Sequence, residues 1–321
     1  MKKRRLGKTE LEVTELGLGC FQFTIEFAVE QETANAVLDT ALTNGINYFD
    51  TAAMYGYGES EELLGRALRR HPDANVHVGG KVGWLDRTVV QGLGSDAYRD
   101  AAALRRAIDH SFWLLQQDTI DVFMIHEHNE DAWQIDYKTG NSVVLDVLEE
   151  YKAAGKIGSI GVGTWAWTKK DQEDLANLLA TGRLDMALIA GGYNIIQSPI
   201  REIILPVIRQ HDIGLVVGAA LGSGIPEFIR QDRVEIERRY KEKDDDGWHY
   251  TPERCERLLR IFDICDQTGM STIELGLRYL LNEQSVHCNI CGAQTPEHVL
   301  SNINFINKGP LDQKIIDLLD E

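Results

Sequence analysis

The amino-acid sequence predicts a single-domain α/β protein built as a (β/α)8 TIM barrel. Eight short apolar runs, rich in Val, Ile, Leu and Gly, alternate with segments that have the spacing of amphipathic helices. Most runs end about 30 residues apart, which is the size of one βα unit, and their composition is typical of strands buried on both faces. An open doubly wound sheet uses the same alternation. Eight units, and the lack of a G-x-G-x-x-G motif after the first run, favour a closed barrel.

Each run closes on Gly or a polar residue. The predicted strands are 16–20, 47–52, 76–83, 120–127, 159–164, 186–193, 214–221 and 287–292. The predicted helices are 32–45, 60–70, 99–117, 141–155, 169–182, 199–212, 252–269, 271–282 and 296–309. Ser60 is the predicted N-cap of the second helix, because acidic residues follow it and basic residues end the segment.

One connection, 222–286, is much longer than the others and contains a strongly charged segment. We therefore expect the barrel to span residues 1–321, with a charged lid-like insertion at about 225–250. Two interpretations of that insertion stay open at this point: a solvated surface excursion, or a lid over the barrel mouth that Trp248, His249 and Tyr250 would suit.

Composition and charge exclude several classes of function. The chain has 33 basic and 50 acidic residues, a net charge of −17, which disfavours nucleic acid and anionic membrane surfaces as partners. No apolar run approaches the roughly 20 residues that span a bilayer, and the basic N-terminus lacks the apolar stretch of a signal peptide. Five cysteines in such a chain fit a reducing compartment, so we predict a cytoplasmic protein. Cys288 and Cys291 fall on one predicted strand and point to opposite faces, which argues against a shared metal.

Four polar residues fall where predicted strands end, at the mouth that carries the active site in barrels of this kind. They are Asp50, Tyr55, Lys81 and His126. A lysine within a Gly-rich buried strand needs an anion nearby, and Asp50 on the adjacent strand is the natural candidate.

The chemistry of this set is proton transfer at an alkoxide or carbonyl oxygen. Bringing a phenol from a pKa near 10 to neutrality takes about 4 kcal/mol. One ammonium at ~4 Å supplies about that much at an effective dielectric constant of 20. Lys81 beside Tyr55 is therefore sufficient in magnitude, with His126 hydrogen-bonding the reacting oxygen. The set contains no activated nucleophile and no metal cage, so a nicotinamide cofactor is expected to supply the hydride.

The motifs around these residues resemble those of the aldo-keto reductase family. YFDTAAMYGYGESEELLGRAL (48–68) is similar to the family's signature, GGKVG (79–83) to its lysine strand and IDVFMIHEHN (120–129) to its histidine strand. GKIGSIGVGTW (155–165) resembles its fifth-strand segment, and ALGSG (220–224) and CGAQTPEHVLSN (291–302) resemble its two cofactor-phosphate segments. The resemblance runs essentially end to end.

The resemblance implies a catalytic tetrad of Asp50, Tyr55, Lys81 and His126, with Tyr55 as the general acid/base. It also implies a cofactor lying extended across the barrel mouth. The implied cofactor contacts are Gly163, Thr164 and Tyr193 near the nicotinamide, Leu221, Gly222, Ser223 and Gly224 at the pyrophosphate, and Gly292, Ala293, Gln294, Thr295, His298 and Asn302 around the adenosine half.

The sequence departs from the family pattern near both ends of the cofactor. Gly163 and Thr164 stand where a Ser-Asn pair is usual, Ala190 where a glutamine is common and Gly218 where many members have a stacking aromatic residue. From Val286 to Ser301 there is no Arg or Lys to pair with a 2′-phosphate. NAD is therefore favoured, with NADP as the alternative.

Aromatic residues just after strand ends suggest a sugar or other polyol as substrate, because flat faces stack on C–H groups and neighbouring polar groups bind hydroxyls. A small carbonyl or alcohol compound is thus the expected partner, and a homo-oligomer is compatible with the sequence. The predicted substrate contacts are Phe21, Trp84, His128, Trp165 and Trp248. NAD preference with such a mouth resembles the sugar 1-dehydrogenase branch and, more distantly, the pyridoxal-oxidising branch.

Two other functions stay open on the sequence. One is a regulatory cofactor-binding protein like the potassium-channel β subunits of the same fold. The other is a metal-dependent barrel hydrolase, prompted by the consecutive residues His126, Glu127 and His128; the first strand, LGLGC, lacks the H-x-H that such enzymes usually carry.

Overall fold

Eight parallel strands close into a barrel in the computed structural model, which describes residues 1–24, 29–222, 225–247 and 249–320. Their order around the barrel follows the chain, and the last strand pairs with the first. A short antiparallel hairpin, β1 (Lys3–Arg5) and β2 (Glu12–Thr14), precedes them. The barrel strands are β3 (Leu16–Gly19), β4 (Tyr48–Asp50), β5 (His77–Val82), β6 (Ile120–His126), β7 (Ile157–Thr164), β8 (Met186–Ala190), β9 (Gly214–Gly218) and β10 (Cys288–Cys291). The predicted (β/α)8 TIM barrel is confirmed.

Helices surround the barrel. They are α1 (Gln31–Thr43), α2 (Glu59–Arg70), α3 (Ala101–Leu115), α4 (Val143–Ala153), α5 (Lys169–Ala180), α6 (Ile204–Gln210), α7 (Pro226–Arg230), α8 (Arg233–Glu242), α9 (Pro252–Thr268), α10 (Thr272–Leu280), α11 (Pro296–Asn307) and α12 (Gln313–Asp320). A large apolar cluster fills the space between helices and strands, and a smaller one, including Tyr48, Met124 and Met186, fills the barrel interior.

The N-terminal hairpin closes one end of the barrel. Leu6 and Val13 are fully buried in the interior cluster, and the backbone N–H of Lys8 bonds to the carbonyl oxygen of Asp212, just before β9. This hairpin has no signal in the sequence, because its two strands are three residues long and largely polar. With that end filled, the carboxyl ends of the strands form the open mouth.

One local expectation needs correction. Helix α2 begins one residue early, at Glu59 after a left-handed Gly58, so Ser60 is not the N-cap. Its buried hydroxyl instead donates to the carbonyl oxygen of Cys20 and contacts Thr51 Oγ1.

The charged insertion forms helices α7 and α8. The Tyr250 hydroxyl donates to Glu227 Oε2 at 2.5 Å, and the Arg239 guanidinium lies 3.8 Å above the Tyr250 ring. These contacts fasten the end of the insertion to α7 and α8. Its function as a lid stays a prediction, and Trp248 lies outside the described residues. Across the described part of the chain, no helix is long and apolar enough to cross a membrane.

Candidate active site

The strand register brings Asp50 and Lys81 together inside the barrel mouth. Asp50 is the last residue of β4 and pairs with Gly79 of β5, two residues before Lys81. The Lys81 ammonium donates to Asp50 Oδ2 at 2.7 Å and to the carbonyl oxygen of Thr51 at 2.8 Å. Both side chains are almost fully buried, 1% and 4% exposed. A buried ammonium is stable here because a carboxylate and a carbonyl oxygen replace its water.

Tyr55 completes this set from the loop after β4. The backbone N–H of Tyr55 bonds to the carbonyl oxygen of Ala52, and left-handed Gly56 and Gly58 turn the chain sharply into α2. The third Lys81 hydrogen bond goes to the Tyr55 hydroxyl, at 3.3 Å. Since the phenol oxygen accepts from Lys81, its own proton is left for an incoming group.

His126 ends β6 and lies edge-on to the Tyr55 ring, with 5.8 Å between the ring centroids. Its Nδ1 is buried and has no hydrogen-bond partner among the described residues. Burial, and secondarily the Lys81 charge, hold the pKa of His126 well below its usual value. The imidazole is therefore neutral at physiological pH and able to hydrogen-bond an oxygen without adding charge.

The pKa of Tyr55 in the structure is higher than the near-neutral value expected from the sequence. Burial raises its pKa to about 12, and Lys81 offsets that increase in part. The expectation from the sequence included the effect of the Lys81 ammonium on the pKa of Tyr55 but omitted the desolvation of the phenolate, which is the larger effect here. Tyr55 is consequently protonated at neutral pH and set to donate.

Gly163 lets the lysine reach this position. A Cβ at Gly163 would lie 3.1 Å from Cδ and Cε of Lys81. Thr164, the next residue, is 2% exposed, and its hydroxyl oxygen lies 3.0 Å from Glu127 Oε2. Both residues were predicted as nicotinamide contacts, and in this structure both are packed against the tetrad and its neighbours.

Glu127 also belongs to the site, although the sequence pointed to it only as part of a metal-binding motif. It follows His126 in a left-handed conformation (φ 59°), fixed by a hydrogen bond from its N–H to the Gly163 carbonyl oxygen. Burial raises the pKa of its carboxyl to about 7. The signal in the sequence was three consecutive polar residues closing an apolar strand. No group of three or more metal-ligating side chains is found among the residues that the structure describes.

The other predicted cofactor contacts that the structure describes follow β8, β9 and β10 at the same mouth. Tyr193, beyond β8, is 4% exposed and stacks on Tyr279, with ring centroids 5.8 Å apart. Beyond β9, half-buried Leu221 packs against the core and Gly222 has a positive φ of 75°. Ser223 and Gly224 lie outside the described residues.

The residues after β10 form the third group. Gly292 faces Gln22, whose Oε1 is buried without a partner among the described residues and would lie 2.4 Å from a Cβ at Gly292. Ala293 is buried and Gln294 exposed, and Thr295 caps α11 by accepting from the N–H of exposed His298. Asn302 is 7% exposed and its amide donates to the Cys291 sulfur at 3.5 Å, which places it behind the strand end.

The predicted substrate residues separate into two groups. Phe21 is 37% exposed, with its ring 4.8 Å from that of Tyr55, and half-buried Trp165 stacks on Trp167 at 4.7 Å. Trp84 is half-buried just after β5. His128 is different: it is fully buried and both ring nitrogens are hydrogen-bonded, so its place behind the site corrects the expectation of a substrate contact.

A closed parallel barrel with this tetrad at its mouth has the architecture of a barrel oxidoreductase. The chain belongs to the aldo/keto reductase family, whose family model matches residues 15–321.

Several relatives agree with that assignment, and a solved structure shares the fold. Pyridoxal 4-dehydrogenase of Microbacterium luteolum is 28% identical, covering 97% of this chain and 95% of the relative. NADH-specific methylglyoxal reductase of Escherichia coli is 26% identical, with 96% and 94% covered, and D-threo-aldose 1-dehydrogenase of a Pseudomonas species is 26% identical, with 92% and 90% covered. The holo form of aldo-keto reductase AKR11C1 from Bacillus halodurans shares the fold, with a TM-score of 0.75 and 23% identity over 100% of this chain and 95% of that one.

Proposed function

We propose that this protein is an NAD-dependent oxidoreductase that interconverts an alcohol or lactol and its carbonyl compound, with a sugar or related polyol or aldehyde as substrate. The observation that carries the proposal is the position of Lys81 Nζ, 2.7 Å from Asp50 Oδ2 and 3.3 Å from the Tyr55 hydroxyl oxygen. This contact supports Tyr55 as a protonated phenol whose negative charge, once it develops, the Lys81 ammonium would stabilise.

Tyr55 moves the proton in either direction of the reaction. In reduction it donates its proton to the carbonyl oxygen, and Lys81 stabilises the negative charge that develops on the phenol. In oxidation the ionised phenol takes the hydroxyl proton of the substrate. Neutral His126 orients the same oxygen. Asp50 balances the charge of Lys81 and fixes its position.

The residues at the mouth fit a nicotinamide cofactor, which supplies or accepts the hydride when it is bound. Three buried polar atoms of residues at the carboxyl ends of the strands have no hydrogen-bond partner among the described residues: Asp50 Oδ1, His126 Nδ1 and Gln22 Oε1. A Cβ at Gly292 would lie 2.4 Å from Gln22 Oε1, so a glycine is needed there for the Gln22 amide to keep its position. The residues proposed to hold the cofactor are Gly163, Thr164, Tyr193, Leu221, Gly222, Ser223, Gly224, Gly292, Ala293, Gln294, Thr295, His298 and Asn302.

The preference for NAD rests on charge. The segment from Val286 to Ser301 contains no Arg or Lys, so a 2′-phosphate there would lack a charge-assisted partner. The E. coli relative is named for its NADH specificity, which is in line with this proposal. The aromatic rim formed by Phe21, Trp84 and Trp165 supports a substrate with stackable C–H faces. A cytoplasmic location and a homo-oligomeric state stay predictions.

Two linked measurements test the proposal. Quenching of intrinsic fluorescence by NAD(H) and by NADP(H) gives the two dissociation constants, and we expect NAD(H) to bind at least about tenfold more tightly. NADH formation is then followed across aldoses, polyols and pyridoxal. Cofactor quenching with no turnover on any compound would favour the regulatory alternative, and stoichiometric zinc in the purified protein would favour the hydrolase.

A further inference from the structure

Behind the catalytic set, three side chains form a continuous hydrogen-bonded chain. Glu127 Oε2 lies 3.0 Å from Thr164 Oγ1, and Thr164 Oγ1 lies 3.1 Å from His128 Nδ1. The other ring nitrogen, His128 Nε2, lies 3.1 Å from the backbone carbonyl oxygen of Asp171. All three side chains are buried, at 8%, 2% and 0% exposure for Glu127, Thr164 and His128.

The contacts fix how many protons the chain holds. A backbone carbonyl can only accept, so His128 Nε2 carries a proton. The Thr164 hydroxyl has one proton and two contacts. If it donates to His128 Nδ1, then the carboxyl of Glu127 must be protonated and donate to Thr164. If it donates to Glu127, then His128 Nδ1 must be protonated. In both forms the net charge of the three side chains is zero. Each form holds one proton more than the combination of an ionised Glu127 carboxylate and a neutral His128 imidazole.

We propose that Glu127, Thr164 and His128 form a relay that carries one shared proton and holds Glu127 uncharged beside the catalytic tetrad. The effect of the relay on catalysis rests on the proposed function. The number of protons that it holds rests only on the hydrogen-bond contacts. Of the two forms, the structure favours protonated Glu127 with neutral His128, because separated charges are costly in a buried site.

Groups around the relay shift the pKa of Glu127 in opposite directions. Burial is the largest influence, raising the pKa of Glu127 to about 7 and lowering that of His128. Hydrogen bonds to Glu127 from Thr164 and from the backbone N–H of Trp165 lower the pKa of Glu127 in part, as does the Lys81 charge, whereas Glu130 raises it. The charged and titratable groups that face the relay are Tyr55, Lys81, His126, Glu130, Tyr137, Lys170, Asp171 and Asp174.

The relay acts on Tyr55 through charge. A negative charge on Glu127 raises the pKa of Tyr55 and opposes development of a phenolate. While the relay keeps its proton, Lys81 pairs with the Asp50 carboxylate and stabilises the phenol oxygen. Loss of the proton, through transfer from Glu127 to solvent, makes Glu127 a second anion near the phenol. Glu127 is thus a positioning and charge-setting residue for Tyr55, with no contact to the reacting atoms required.

The test uses the full-length protein labelled with ¹⁵N-histidine. The ring signals of His128 are assigned by their loss in His128→Gln. We expect a neutral imidazole protonated on Nε2 at pH 6, with Nδ1 as acceptor. An imidazolium at pH 6, or a proton on Nδ1 of a neutral ring, would overturn the relay whether or not the protein turns over any substrate.

The effect on catalysis is read from the pH dependence of kcat for carbonyl reduction. We expect the wild-type rate to fall about three- to tenfold between pH 6 and 8 and the Glu127→Gln rate to fall less than about twofold, because a glutamine cannot ionise. Asp118→Asn is the matched control, an exposed acid just before β6 that is not among the charged groups around the relay, and should keep the wild-type profile. Identical profiles for wild type and Glu127→Gln would refute the effect on Tyr55.

Discussion

Replacing Lys81 with methionine removes the ammonium that contacts the phenol and leaves a side chain of similar length. At 3.3 Å and an effective dielectric constant of 20, the ammonium stabilises a full phenolate by about 5 kcal/mol. With roughly half of that charge developed in the transition state, the loss is about 2.5 kcal/mol, or about 10²-fold in kcat. Asp50, 4% exposed, also loses its ionic partner, and a buried charge left unpaired costs about 3 to 5 kcal/mol of unfolding free energy.

Two measurements separate these effects. Urea unfolding gives the stability of wild type, Lys81→Met and the double variant Asp50→Asn with Lys81→Met, and steady-state assays give kcat for each. The double variant should recover most of the lost stability, since no buried charge is left unpaired, while kcat stays low. Recovery of kcat together with stability, or a Lys81→Met variant within threefold of the wild-type kcat, would refute the account of the ammonium.

Three other substitutions probe the frame around the site. Gly163→Ala places a methyl group 3.1 Å from Lys81 Cδ and Cε, so we expect a stability loss of about 1 to 3 kcal/mol and a kcat at least about tenfold lower, checked by unfolding and turnover. In Gly222→Ala the alanine must adopt a positive φ of 75°, and its Cβ would lie 3.0 Å from the Phe228 side chain. We expect a lower melting temperature, corresponding to a loss of about 1 to 2 kcal/mol in unfolding free energy. Burial raises the pKa of Glu61 to about 7. The folded state therefore binds the extra proton, and the unfolding free energy of the wild type falls by up to about 3 kcal/mol as the pH rises from about 4.5 to 7. Urea titrations of Glu61→Gln should lack that decline.

The strands and the tetrad could be predicted from the sequence because each rests on local information. Every predicted barrel strand overlaps the observed one, since apolar runs buried on both faces lack the helical period. Lys81 pointed to Asp50 because a lysine in a Gly-rich buried strand has few ways to be stabilised. The 2.7 Å contact between them bears out that inference.

Other features depend on contacts that no local pattern contains. The closing hairpin consists of two short polar strands that pair only because Leu6 and Val13 enter the barrel. The high pKa of Tyr55 follows from how deeply the loop is packed, which the sequence does not specify. The burial of His128 and its link to Glu127 through Thr164 arise from the left-handed turn at Glu127, a conformation that a sequence does not predict for a glutamate.

Single-turnover formation of NADH in Tyr55→Phe, compared with wild type, tests the central claim most directly. Enzyme saturated with NAD is mixed with the best substrate from the panel, and cofactor fluorescence is recorded in parallel. We predict that both proteins bind NAD equally and that the variant forms NADH at least about 10³-fold more slowly, because the phenol of Tyr55 is the group proposed to exchange the hydroxyl proton. A single-turnover rate within tenfold of wild type would show that the phenol beside Lys81 does not carry the proton.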